Sequence, residues 1–276
     1  GASISLSMQL HPPAQDPAMA ITAALAGGGD LRLINPPLSL LSAVVDRTHR
    51  TDTGGHLAVA LPREDVDGLD VRFPTAAQLS DLALADRVTV YAVAEALNGT
   101  LVGGTLVGVV YARGETTALL SLDAERWGEW VERAWEVAVA ESAPVDHDQV
   151  GYDTLRASLA DRLSVSIAET FDTLVRTARQ RQPTDAAIDP TSIALMATAW
   201  HGGQLAEVTS WGAEAAVASR ATFSRVKSQL EDVGVLTTSP IPQDVGRPRL
   251  RLELRPPHGQ DPDPERLIDA AGSVIA

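Results

Sequence analysis

Between Ser219 and Arg251 the chain combines hydroxyls, small residues and cations in a pattern suited to a polyanion. In SRATFSRVKS, Ala221, Ser224, Arg225 and Ser228 share one face of a helix at 100° per residue. Ser219, Arg220 and Thr222 stand at its start and Lys227 on its flank, while Phe223, Val226, Leu230 and Val233 recur at i, i+3, i+7 and i+10 as an apolar stripe opposite. Small residues let a helix approach the floor of a major groove, arginine bridges the acceptors of guanine, and hydroxyls serve bases or phosphates. In GRPRLRLEL, Leu250, Leu252 and Leu254 alternate with Arg249, Arg251 and Glu253, so one strand face is core and the other cationic. With Arg247 in the Gly246–Pro248 turn this is a basic β-wing, its target phosphate or the minor groove. Double-stranded DNA is the expected partner. The alternative, a surface helix with three solvated cations, leaves the repeat of the same charge logic in the strands unexplained.

These residues need a scaffold. TSIALMATAW and GQLAEVTSWGAEAA read as two helices, the second burying Leu205, Val208 and Trp211. Ser219 is placed to cap the third helix and Gly234 to end it in a left-handed conformation. Three helices followed by two strands over 189–257 predict a winged helix-turn-helix. The run SRATFSRVKSQLEDVGVL followed by DVGRPRLRLEL resembles the C-terminal DNA-binding domain of TbsP-type regulators of haloarchaea, over roughly 189–255. The resemblance implies a transcription factor acting on central carbon metabolism genes.

Charge agrees with this placement. The chain carries a formal −14, and of its 22 basic residues Lys227 is the single lysine, a composition that fits a halophile's surface. Residues 1–188 carry a net −11 while 189–258 balance at zero. From Arg220 to Arg255 the balance is +3, and there an anionic partner docks.

Ahead of it, 16–145 alternates helical and strand patterns: PAMAITAALAGGG, LRLIN, PLSLLSAVVDRTHR, HLAVAL, TAAQLSDLALADR and VTVYAV. TLVGVVYA and TTALLSL, joined by Arg113-Gly114-Glu115, predict a hairpin, and a tryptophan-bearing helix follows. The expected class is an α/β (α+β) domain with a mixed sheet, then a helical spacer, then the winged helix. The layout loosely resembles the effector-binding domain of TrmB-type sugar-sensing regulators, which descends from the phospholipase D fold. That resemblance implies a small metabolite, a sugar phosphate or glycolytic intermediate, held without lysine. Asn35, where a strand passes into a helix, and Arg113 at the hairpin turn are the candidate ligand residues. Residues 146–188 read as a helical linker or dimerisation region, with Ile167, Phe171, Leu174 and Ala178 as either a core or a homodimer stripe. A flexible N-terminus (1–15) and a mobile tail (258–276) complete the expectation.

Catalysis has little to work with. Cysteine is absent, which removes thiolate chemistry and cysteine metal sites. The six histidines show no metal-ligand spacing, so no metal and no cofactor are expected, and Asp146-His147-Asp148 reads as an acidic loop. A phospholipase D site requires a lysine two residues after its histidine, and the front domain has none. Gly27-Gly28-Gly29 follows a helix and reads as a terminator, and Gly103-Gly104 as a bend. No apolar run reaches membrane-spanning length and nothing is shaped like a signal peptide, so the cytoplasm is the expected location. The alternatives to a ligand-responsive regulator are a DNA-binding protein whose front domain serves only oligomerisation or protein contacts, and a degenerate phospholipase D-like enzyme.

Overall fold

A computed structural model describes residues 16–51, 54–69, 72–94, 99–113, 116–181, 188–242, 249–255 and 262–275. The expected flexible start, 1–15, lies outside them. The chain divides into two compact units, Gly1–Asp70 with Asp81–His147, and Val71–Ser80 with Asp148–Ala276.

The first unit is built on α1 (Pro17–Ala26), β1 (Leu31–Ile34), α2 (Leu38–Arg50), β2 (Leu57–Pro62), α3 (Arg63–Leu69), the end of α4 (Thr75–Leu84), β3 (Val88–Val93), β4 (Thr100–Gly104), β5 (Gly108–Arg113), β6 (Thr116–Ser121) and α5 (Ala124–Val139). The sheet order is β3-β2-β1-β4-β5-β6. β1, β2 and β3 run parallel, and β4, β5 and β6 continue from β1 by antiparallel steps. The expected mixed sheet is therefore present. α3, a short acidic helix directly after β2, was not anticipated, and β4 pairs with β1, which puts Gly103 in register with Arg32.

Side-chain alternation covers both faces. Ile34, Ala60, Val93 and Leu101 meet Val131 and Trp135 of α5 in one cluster, with Tyr91 edge-on to Trp135. Leu31 and Leu33, one residue out of phase with Ile34, are completely buried on the opposite face. The glycines hold loop against loop. Gly104 has φ +104°, and a Cβ there would sit 2.1 Å from the Asp30 carbonyl oxygen, so no side chain fits. Gly27 caps α1, as its position predicts.

The second unit comprises the first part of α4, α6 (Tyr152–Arg162), α7 (Val165–Arg181), α8 (Pro190–Trp200), α9 (Leu205–Glu214), α10 (Arg220–Asp232), β7 (Leu236–Ile241), β8 (Arg249–Leu254) and α11 (Pro264–Ile275). Its axis is α8, buried from Thr191 to Ala199, as a helix apolar on all sides must be. Asp189 caps α8 by accepting from the Thr191 and Ser192 backbone N–H groups. Ile167, Phe171, Leu174 and Ala178 of α7 are buried in this unit's own core, each at most 6% exposed, so that stripe is not a free dimer surface. The tail at 258–276, expected to be mobile with at most one short helix, is held against the core where it is described. Pro264–Ile275 is a helix, and Leu267, Ile268 and Ala271 at i, i+1 and i+4 bury one side of it in the same core. Asp172 accepts hydrogen bonds from the Tyr152 hydroxyl and the Arg156 guanidinium, tying α6 to α7. Burial holds the Tyr152 pKa well above the usual tyrosine range, so it stays a donor.

Candidate nucleic-acid interface

Two close contacts set the angle between α9 and α10. Gly212 lies against the Phe223 ring, where an added Cβ would come within 2.1 Å of ring carbon. The intervening turn folds back onto the same residue, with the Val217 N–H donating to the Gly212 carbonyl at 2.9 Å and Ala216 at φ 55°. Phe223, Val226 and Leu230 are buried. Val233, expected to complete that stripe, is the C-cap residue and is 41% exposed, because the helix ends there and Gly234 turns left-handed at φ 76°.

The opposite face of α10 carries what the sequence placed there. Ser219 caps the helix by accepting from the Thr222 N–H at 3.1 Å, and the two hydroxyls bond each other at 2.9 Å. Arg220, Ala221, Ser224, Arg225 and Ser228 are exposed, and Thr222 is half-buried. The Ser228 hydroxyl donates to the Ser224 carbonyl and keeps its acceptor capacity outward. Lys227 differs. Its side chain is 14% exposed, its ammonium lies 2.7 Å from Glu231, and Glu231 also accepts from Thr238 of β7. The chain's single lysine thus joins the helix to the wing, and its charge is neutralised within the fold.

The wing is the antiparallel pair β7–β8, running from Leu236↔Leu254 to Ile241↔Arg249. Leu252 is buried, Leu250 and Leu254 are half-buried, and Arg249 and Arg251 point outward, as alternation predicts. Arg247 lies outside the described residues. The segment before α9 serves as a third, minimal strand. The Leu252 N–H donates to the Gly203 carbonyl at 2.8 Å, Gln204 bridges Arg251, and the Arg249 guanidinium donates to the Gln204 side chain at 3.2 Å. Arg220 and Arg225 on the helix and Arg249 and Arg251 on the strand therefore belong to one folded unit. Gln204 and Gln229 are neutral and carry neither the charge nor the hydroxyl that marks the other polar residues of this face in the sequence. Gln229 is exposed one turn beyond Arg225 and accepts from it at 3.0 Å.

Residues 151–272 match the family model for the transcriptional regulator TbsP-like, C-terminal HTH domain. This part of the chain is similar to the TbsP-like HTH domain. The match reaches beyond the winged helix to α6, α7 and α11, the helices that share its core. The similarity supports a DNA-binding transcriptional regulator. No curated protein sequence matches the chain. Among the described residues no helix is long and apolar enough to cross a membrane.

In the first unit, Asn35 follows β1 with φ 50°, half-buried, its backbone carbonyl accepting from Thr100. β5 runs parallel to β1 with β4 between them, so Arg113 lies toward the same end of the strands as Asn35, two strands away, about 10 Å laterally, and three residues further along than Val110, which is level with Asn35. The Arg113 side chain lies outside the described residues, and the backbone alone does not bring it to Asn35. A cavity of about 420 Å³ lies elsewhere in this unit, between α1 and α2, lined by Met19, Ala23, Ala26, Arg47, Arg50 and Thr51. Arg47 pairs with Asp16 and Arg50 with Asp46, each leaving further guanidinium donors.

Proposed function

We propose that the chain is a sequence-specific regulator that inserts α10 into the major groove and lays the β7–β8 wing on the adjacent phosphates. The observation carrying this reading is the outer face of α10, where Arg220, Ala221, Ser224, Arg225 and Ser228 stand exposed over a helix anchored by Phe223, Val226 and Leu230. Arginine reads guanine, hydroxyls and wing arginines hold the backbone, and the small residues allow close approach. On resemblance alone, the targets are central carbon metabolism genes of a halophile, a context consistent with the −14 charge and single lysine. Immunoprecipitation of bound chromosomal DNA, with and without a sugar carbon source, tests this. Enrichment at promoters of such genes is expected, and scattered, promoter-independent binding contradicts it.

Two features favour a ligand-responsive homodimer. The α1–α2 cavity places two arginines over an apolar floor, chemistry suited to a small anionic metabolite such as a sugar phosphate, and we favour it over Asn35 and Arg113. Trp127, Trp130, Ala134 and Val137 recur at i, i+3, i+7 and i+10 on α5, with Trp130 52% and Val137 72% exposed. A stripe at that spacing suits the same helix of a second copy. Thermal shift with sugar phosphates in high salt tests the ligand. No shift for any of them leaves the front domain with oligomerisation alone.

A further inference from the structure

We propose that Arg225 and Gln229 form one reading unit, with Arg225 selecting a guanine and Gln229 an adenine no more than two base pairs away. This rests on the DNA-binding reading above and assigns a base-reading role to a residue that neither charge nor hydroxyl content singles out. Both side chains are exposed on the outer face of α10, and the Arg225 Nη1 donates to the Gln229 Oε1 at 3.0 Å.

A free guanidinium on a four-bond stem must be ordered before it can bridge guanine N7 and O6. The contact to Gln229 orders it in advance and lowers that entropic cost. Gln229 retains what adenine requires. Its carbonyl oxygen has a second lone pair for the adenine N6 amino group, and its Nε2 donates to adenine N7. Four residues of helix advance about 6 Å along the axis. Steps of about 3.4 Å per base pair then fix the separation at one or two steps.

The neighbours delimit the unit. Lys227 is tied to Glu231, and Ser228 bonds the Ser224 carbonyl, so neither competes for the same base edges with a free long side chain. Beyond Gln229 the next exposed side chain on the helix is Asp232, a carboxylate that phosphates repel, so the reading face ends at Gln229.

The test is selection of bound duplexes from a randomised pool, using the full chain in parallel with Gln229→Ala and Gln229→Glu, with thermal melting to show that each is folded. The wild type is expected to select a guanine and an adenine within two base pairs of each other. Gln229→Ala keeps the guanine and loses adenine discrimination by on the order of 10- to 100-fold. Gln229→Glu, which keeps an acceptor but not the donor, moves that position toward cytosine, whose N4 amino group donates. A purely structural role for Gln229 would leave base identity unchanged in both variants. An adenine preference that survives in both, or a wild-type site without the adenine, overturns the proposal. A wild-type chain that enriches no sequence overturns the DNA-binding reading itself, and that result is visible before any variant is compared.

Discussion

The two units use their polar residues in opposite ways. In the second, the candidate functional groups sit on one helix and one strand, α10 and β8, separated in sequence only by β7, above a core that the same elements bury. In the first, candidate groups come from separate elements: Arg47 and Arg50 from α2, Asn35 from the end of β1, Arg113 from β5. Local periodicity is enough to assemble the first kind of site. The second kind depends on strand order, which periodicity does not contain.

Perturbing the anchor beneath the α10 face gives the largest expected effect. Phe223→Ala removes a fully buried ring and should cost about 3–5 kcal/mol, and Gly212→Ala, which forces a Cβ into that ring, about 1–3 kcal/mol. Both should lower the melting transition and abolish operator binding. A Gly212→Ala chain that melts as the wild type would show that α9 and α10 are not so closely held. Arg225→Ala should leave melting unchanged and weaken operator binding by about 1–3 kcal/mol with relaxed base preference. Lys227→Met inverts that pattern. It unpairs a half-buried Glu231 and should lower stability by on the order of 1 kcal/mol, while operator affinity in the folded chain stays the same. In the first unit, Trp130→Glu should convert a dimer to the 29.1 kDa chain by light scattering, with little change in melting because the indole is half exposed. A wild-type chain already at that mass would remove α5 as an interface.

Much of the second unit was legible. The apolar repeat, Ser219 and Gly234 define α10, and alternation in RLRLEL defines β8. The role of Lys227 was not legible, because an i,i+4 carboxylate at Glu231 signals an ion pair only once Thr238 is known to fix that carboxylate. The burial of α7 and α11 was also hidden, since an apolar stripe does not name its partner. In the first unit the mixed sheet could be expected from element order, but the pairing of β4 with β1 could not. Gly103-Gly104 looked like a bend until pairing with β1 showed a glycine beneath Val131 and another against Asp30.

We propose that the arginines of the α10 face and of the wing, and not Lys227, make the cationic contacts to DNA. Operator affinity measured across a range of salt concentrations for the wild type, Arg220→Ala/Arg225→Ala and Lys227→Met tests it most directly. The log–log slope should fall by about 1 in the double arginine variant, from the phosphate contact of Arg220, and remain at the wild-type value in Lys227→Met. Equal slopes for the double variant and the wild type, or a reduced slope in Lys227→Met alone, would contradict the account.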